Sequence, residues 1–110
     1  MTVRAHPFVF CAALLALPAL SVAATHVVKI DGMAFAPASL AVKRGDTVVW
    51  ENRDVVPHTA TATATTGRGP FDSKQIAPGA RWSWTAAGTG RQDYLCTIHP
   101  NMKAMLEVTE

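Results

Sequence analysis

Cysteine is scarce in this chain, with only Cys11 and Cys96 in 110 residues. Once Cys11 is lost with a leader, as argued below, the remaining thiol has no partner for an internal disulfide. Basic clusters are missing too. Ten basic and 8 acidic side chains leave a formal net charge of +2 with no run of one sign. Nothing in that pattern neutralises a row of phosphates, so nucleic acid is excluded as a partner. The longest apolar run falls short of the roughly 20 residues that span a bilayer, which argues against a transmembrane anchor. No segment sustains an apolar period of 3.6 residues, and this excludes a helical domain.

What is present begins with Arg4, an apolar run from Phe8 to Leu20 and the small residues Ser21, Val22, Ala23 and Ala24. This is the layout of a secretory signal peptide, expected over residues 1–24. No Cys stands beside the cleavage region, so neither a lipid anchor nor a membrane anchor is expected after processing. Residues 25–110 are enough for a single small domain with one core. Loss of Arg4 lowers the net charge from +2 to about +1. An unpaired Cys96 sent to an oxidising compartment needs a reason. A buried inert thiol is one reason; a metal-bound thiolate is another, and His99, three residues on, favours the second.

The exported part reads as all-β. Val28 and Ile30 alternate with Lys29 and Asp31, and Leu40 and Val42 with Ala41 and Lys43. Gly45-Asp46 predicts a hairpin link into a strand over Thr47–Asn52. Strict alternation from Val56 to Ala64 predicts a strand with Val56, His58, Ala60, Ala62 and Ala64 facing inward, and Thr59, Thr61 and Thr63 outward. A loop is expected from Thr65 to Pro70 and a turn at Pro78-Gly79. Trp82 and Trp84 share a face and are expected in the core. The last strands are expected over Gln92–Cys96 and Ala104–Val108, with Met105 on the opposite face from Leu106 and Val108.

Near the C-terminus the run Cys96-Thr-Ile-His99-Pro-Asn-Met102 places three soft or borderline donors in one loop. A fourth must come from a distant strand. His6 lies in the leader and His26 at the new amino terminus, so His58, after Pro57, is the donor left. Thiolate, two imidazoles and a thioether are the ligand set of a trigonal His₂Cys copper centre with a weak axial Met, suited to one-electron transfer. Structural zinc prefers four strong Cys or His ligands, and three are available here. Such copper is coordinatively filled, leaving substrate no open position, so the chain is not expected to be an enzyme. A copper carrier or chaperone that passes on metal rather than electrons is the alternative. Cleavage after Ala23 instead of Ala24 would leave Ala24-Thr25-His26, whose amine, amides and imidazole can form a square-planar Cu(II) site.

These motifs, with Met33-Ala-Phe35-Ala-Pro37, Gly45-Asp46-Thr-Val-Val-Trp50-Glu-Asn52-Arg-Asp54, Pro57-His58 and Phe71-Asp-Ser73, resemble the cupredoxins, the small blue copper proteins. The likeness is greatest to the amicyanin/pseudoazurin branch, with plastocyanin more distant because its Met lies further on. The resemblance implies a Greek-key β-sandwich of about seven or eight strands. It also implies one type 1 copper held by His58, Cys96, His99 and Met102, and shuttling of electrons between larger redox proteins in the periplasm, a task of docking and leaving quickly for which a monomer is the natural form. Donor and acceptor would dock transiently near His99, ringed by Met33, Pro57, Pro100 and Met105. One departure stands out: the family commonly has Asn directly after the upstream His, where it ties the ligand loops together. Here that residue is Thr59, a hydroxyl with less reach.

Overall fold

Alternating apolar and polar residues fold into eight strands among the residues that the computed structural model describes, which are 2–9, 11–13, 15, 22–64 and 69–110. Nine positions of the expected leader (1, 10, 14 and 16–21), and positions 65–68 of the expected loop, lie outside them. The strands are β1 (Thr25–Asp31), β2 (Ala34–Ala36), β3 (Ser39–Lys43), β4 (Thr47–Asn52), β5 (Thr61–Ala62), β6 (Arg81–Thr85), β7 (Gly90–Leu95) and β8 (Lys103–Thr109). They form two four-stranded sheets, ordered β2-β1-β4-β6 and β3-β8-β7-β5. β1 runs parallel to β4 and β3 parallel to β8; the other pairings are antiparallel.

The inward residues of both sheets make one core. Val28, Ile30, Val48, Trp50, Tyr94 and Leu106 are essentially fully buried. Trp50 lies 5.5 Å from Trp82 and 5.1 Å from Phe71, and Phe71 lies 4.8 Å from Trp84. Both β6 indoles therefore pack against the core from one face, as their alternation predicts. Burial pushes the Tyr94 phenol up to about 12, so it stays neutral at ordinary pH. Its hydroxyl and the Trp50 indole N–H are both buried, with no partner in regular hydrogen-bond geometry among the described residues, and the indole N–H partly counters the rise.

Two expectations need correction. Gly45-Asp46 does reverse the chain, but β3 and β4 belong to different sheets and do not form a hairpin. The turn is closed by Asp46 N–H donating to Lys43 O and also bonds outward: Arg44 N–H donates to Thr109 O and Gly45 N–H to Ala86 O. Turn residues set a local reversal, while Val42 and Trp50 reach the core from opposite sides, so the two strands part company.

The second correction concerns Val56–Ala64, where only Thr61–Ala62 is regular strand. His58, Thr59 and Ala60 are buried in succession. The segment is wedged between neighbours on both sides, with Ala60 N–H donating to Ser73 Oγ and Thr97 N–H to Thr59 Oγ1. A segment covered on both sides has no solvent face to alternate with.

Asp46 itself is only 5% exposed. The His26 imidazole, with the N–H groups of Lys43 and Ala24, pulls its carboxyl down to about 2 from an ordinary 3.8. A depressed carboxyl stabilises the fold fully above its ordinary value, and the contribution is lost as pH falls towards 2. Urea midpoints of the parent and Asp46→Asn are therefore expected to differ most at pH 5 and to converge between pH 4 and 2. A gap that stayed constant across that range would contradict this role.

Candidate metal centre

The upstream half of the site is built on Asn52, the buried last residue of β4. Its Nδ2 donates to Val56 O at 2.8 Å and Ile76 O at 2.9 Å, while its Oδ1 accepts from Asp54 N–H at 3.0 Å. One side chain thus folds residues 54–56 back and brings the Ile76 segment alongside. There His58 and Ile76 exchange backbone hydrogen bonds of 3.2 and 2.7 Å, and the His58 ring is fully buried.

His58 Nε2 lies 2.8 Å from Asp54 Oδ2. With its proton on Nε2, donating to that carboxylate, the ring presents the Nδ1 lone pair to a metal. Asp54 is in turn held by the turn between β1 and β2, accepting from Gly32 N–H at 2.8 Å and Met33 N–H at 3.0 Å. That two-residue turn has φ of 61° at both Gly32 and Met33, as this kind of tight hairpin requires. For Met33 the left-handed backbone carries a cost, which the Asp54 contact helps to offset. Burial opposes the Asp54 charge, yet the Met33 N–H, the His58 imidazole and the Gly32 N–H together hold its carboxyl below the ordinary value.

The downstream half is a short loop after β7. Cys96 N–H donates to Met102 O at 3.0 Å and Met102 N–H to His99 O at 2.9 Å, which closes the loop across its base. Cys96 and Met102 are buried and His99 is half-buried. Thr59 ties the two halves together. Its N–H donates to Cys96 Sγ at 3.3 Å, an arrangement that supports negative charge on sulfur. Its hydroxyl oxygen accepts from Thr97 N–H at 2.9 Å and lies 3.0 Å from Thr97 Oγ1. The expected shortfall in reach does not arise, because Thr59 is buried against the loop rather than facing outward.

Three donor atoms, from His58, Cys96 and His99, lie within 4.8 Å of one another. The imidazole Nδ1 atoms are 3.2 Å apart, and each stands 3.8 or 3.7 Å from Cys96 Sγ. Bonds of about 2.0 Å to nitrogen and 2.3 Å to sulfur from one shared ion give separations of about this size. The donors fit a single metal ion, and Met102 sits in the same closed loop. Met105 lines an outer groove of the second sheet with Thr63, Arg91, Asp93 and Lys103.

Sequence reasoning assigned no role to Asn52, Asp54 or Thr97. An Asn ending an otherwise apolar strand, and an Asp four residues before a His, were the available signals. Replacing Asp54 with Ala frees the His58 ring and is expected to weaken Cu(II) binding about 10- to 100-fold while the protein stays folded. Competition with a chelator of known affinity measures this, and an unchanged affinity would leave Asp54 without a positioning role.

Comparison with known proteins places this geometry. The family model for copper binding proteins of the plastocyanin/azurin family matches residues 22–109. Amicyanin of Paracoccus denitrificans is 37% identical over 87 residues, and that of Paracoccus versutus 31% over 83. Each alignment covers 74% of this chain but 63% of the relative's length. Among solved structures, a copper-containing nitrite reductase from Thermus scotoductus superposes with a TM-score of 0.73 at 30% identity, over 78% of this chain and 22% of the reductase. A methionine-to-alanine variant of amicyanin in its Cu(I) form gives 0.70 at 33% identity, over 76% and 81% of the two chains.

Proposed function

This chain belongs to the plastocyanin/azurin family of copper-binding proteins, and on that premise we propose that it carries single electrons through one type 1 copper held by His58, Cys96, His99 and Met102. The observation that carries this reading is the convergence of two imidazole nitrogens and one thiol sulfur from separate segments, within 4.8 Å. Copper bound there supplies a Cu(II)/Cu(I) couple.

The protein's own part is to keep the donors still. Asp54 fixes the tautomer and tilt of His58, Thr59 N–H points at Cys96 Sγ, and the Cys96–Met102 loop is closed by its two backbone bonds. Donors locked in this way cannot rearrange much between oxidation states, which favours fast exchange. With four donors in the set no position is left for a substrate, and this supports a carrier rather than an enzyme. The reductase likeness involves 22% of that protein and brings no catalytic role with it.

Electrons would pass at His99, half-buried and flanked by exposed Ile98 and Pro100. Met33, 44% exposed and bonded through its N–H to the Asp54 that holds His58, and half-buried Pro57 next to His58 in the chain support a small apolar docking face for transient redox partners. We place the protein in the periplasm as a monomer, exported by a signal over residues 1–24 and folded over 25–110. Near-neutral charge suits partners that dock without strong steering.

The deciding experiment is a titration of the purified protein with Cu(II), followed by visible absorption through a cycle of reduction and reoxidation. An intense blue band saturating at one copper per chain, bleached and restored with the metal retained, is the expected result. A pale product would sink the electron-transfer reading. Loss of copper on reduction would instead favour a copper carrier.

A further inference from the structure

The amino-terminal edge of the domain holds a buried acid that plays no part in the metal site. Asp46 Oδ2 is engaged by His26 Nε2 at 2.8 Å and by Lys43 N–H at 3.0 Å. Among the described residues, Oδ1 has one partner, the backbone nitrogen of Ala24, at 2.9 Å. The carbonyl of the same residue accepts from Thr47 N–H, also at 2.9 Å. Both backbone groups of Ala24 are therefore spent on Asp46-Thr47. Val22 and Ala23 make no hydrogen bond among the described residues, and both are exposed. Val22 lines a groove with His26, Val42 and Asp46, but hydrogen bonding to the domain begins at Ala24, one residue before the first strand.

We infer that the mature chain starts at Ala24, and that the α-ammonium created there forms an ion pair with Asp46 that fastens β1 to the turn before β4. This rests on the export reading above and moves its cleavage point by one residue. Hydrolysis of the Ala23–Ala24 bond by an export-pathway endopeptidase consumes one water. It leaves a carboxylate on Ala23 of the released leader and an ammonium on Ala24.

Two observations favour this bond over the next. Cleavage here puts the small residues Ser21 and Ala23 at the third and first positions before the cut, whereas a cut after Ala24 puts Val22 at the third. A cut after Ala24 would also strip the buried acid Asp46 and the half-buried Thr47 N–H of the partners they have, and polar groups left unpaired there are costly. Cleavage before Ala24 instead upgrades an amide donor to a charged one on an acid that is 5% exposed. Charge-assisted bonds of that kind are about twice as strong as neutral ones. The latch would be absent from the precursor and complete in the processed protein.

The same geometry removes the square-planar Cu(II) site considered for Ala24-Thr25-His26. Thr25 and His26 are in register with Thr47 and Val48 of β4, so wrapping their amides around a metal would break the ladder, and Asp46 already holds the His26 ring.

Intact-mass analysis of protein recovered from the periplasm after expression of the full chain tests the cleavage point. A first residue of Ala24 supports the inference. Thr25 would overturn it while leaving export intact, and an uncut chain would overturn both. The ion pair is tested separately by melting chains begun at Ala23 and at Ala24, each with and without Asp46→Asn. Starting at Ala23 keeps the N–H but moves the charge away. The Ala24 form is expected to melt about 4–8 °C higher, and Asp46→Asn should erase that difference. Equal melting of the two parent chains would refute the pair.

Discussion

Cys96→Ser is expected to give a folded protein that never turns blue, with Cu(II) affinity reduced by well over 100-fold, beyond the range set by outer hydrogen bonds alone. The thiolate is the soft, electron-rich donor of the set, and the intense visible band of such centres is charge transfer from that sulfur to copper. A serine hydroxyl is a poor donor at neutral pH and has no such transition. Structure predicts that the fold survives. Cys96 Sγ is fully buried, but its partner Thr59 N–H can donate to a hydroxyl instead, so the stability cost should stay near 1–3 kcal/mol. Visible absorption, chelator competition and urea melts on one preparation separate the effects. A band that persisted in Cys96→Ser would show that some other group supplies the charge transfer.

Asn52→Ala should do the reverse, harming the fold first and the metal site through it. Three hydrogen bonds disappear, to Val56 O, Ile76 O and Asp54 N–H. Ile76 O keeps the His58 N–H donor and the other two groups are only partly buried, so the loss is about 1 kcal/mol per bond and a total near 3 kcal/mol is expected. Against the about 5–15 kcal/mol typical of a domain, that is a large fraction. In the metal-free protein the urea midpoint should fall with an unchanged slope. Asn52→Asp keeps the shape and one acceptor but loses both Nδ2 donations, and should recover only a minor part of the loss. If Asn52→Ala melted like the parent, the hub role assigned to Asn52 would be wrong.

The contrast between these two residues follows from what each contributes. Cys96 contributes an atom with particular chemistry, and its type and its spacing to His99 and Met102 can be read directly from the chain. Asn52 contributes directions. Nothing in a run of Thr-Val-Val-Trp-Glu-Asn says that the last side chain will fold back onto Val56 and Ile76, because those partners are brought there by the crossing of the chain between sheets. Asp54 is similar. Its neighbour His58 is four residues away, but the Gly32 and Met33 N–H groups that hold it arrive from another hairpin.

Alternation served well where one face of a strand meets solvent, as in β1, β3 and β6, and failed at His58–Ala60, where both faces are covered. Turn chemistry likewise located the reversal at Gly45-Asp46 without showing that the strands on either side enter different sheets. By itself the sequence determined the all-β character, the inward aromatic residues and a set of donors able to share one soft metal ion, since side-chain chemistry and period-two patterning are local properties. Only the tertiary structure decided which strands pair, that Thr59 bridges the two ligand segments, that Asp54 orients His58 and that Ala24 meets Asp46. Those contacts join residues 4 to 38 positions apart, and they exist only once burial of the core has fixed where each segment lies.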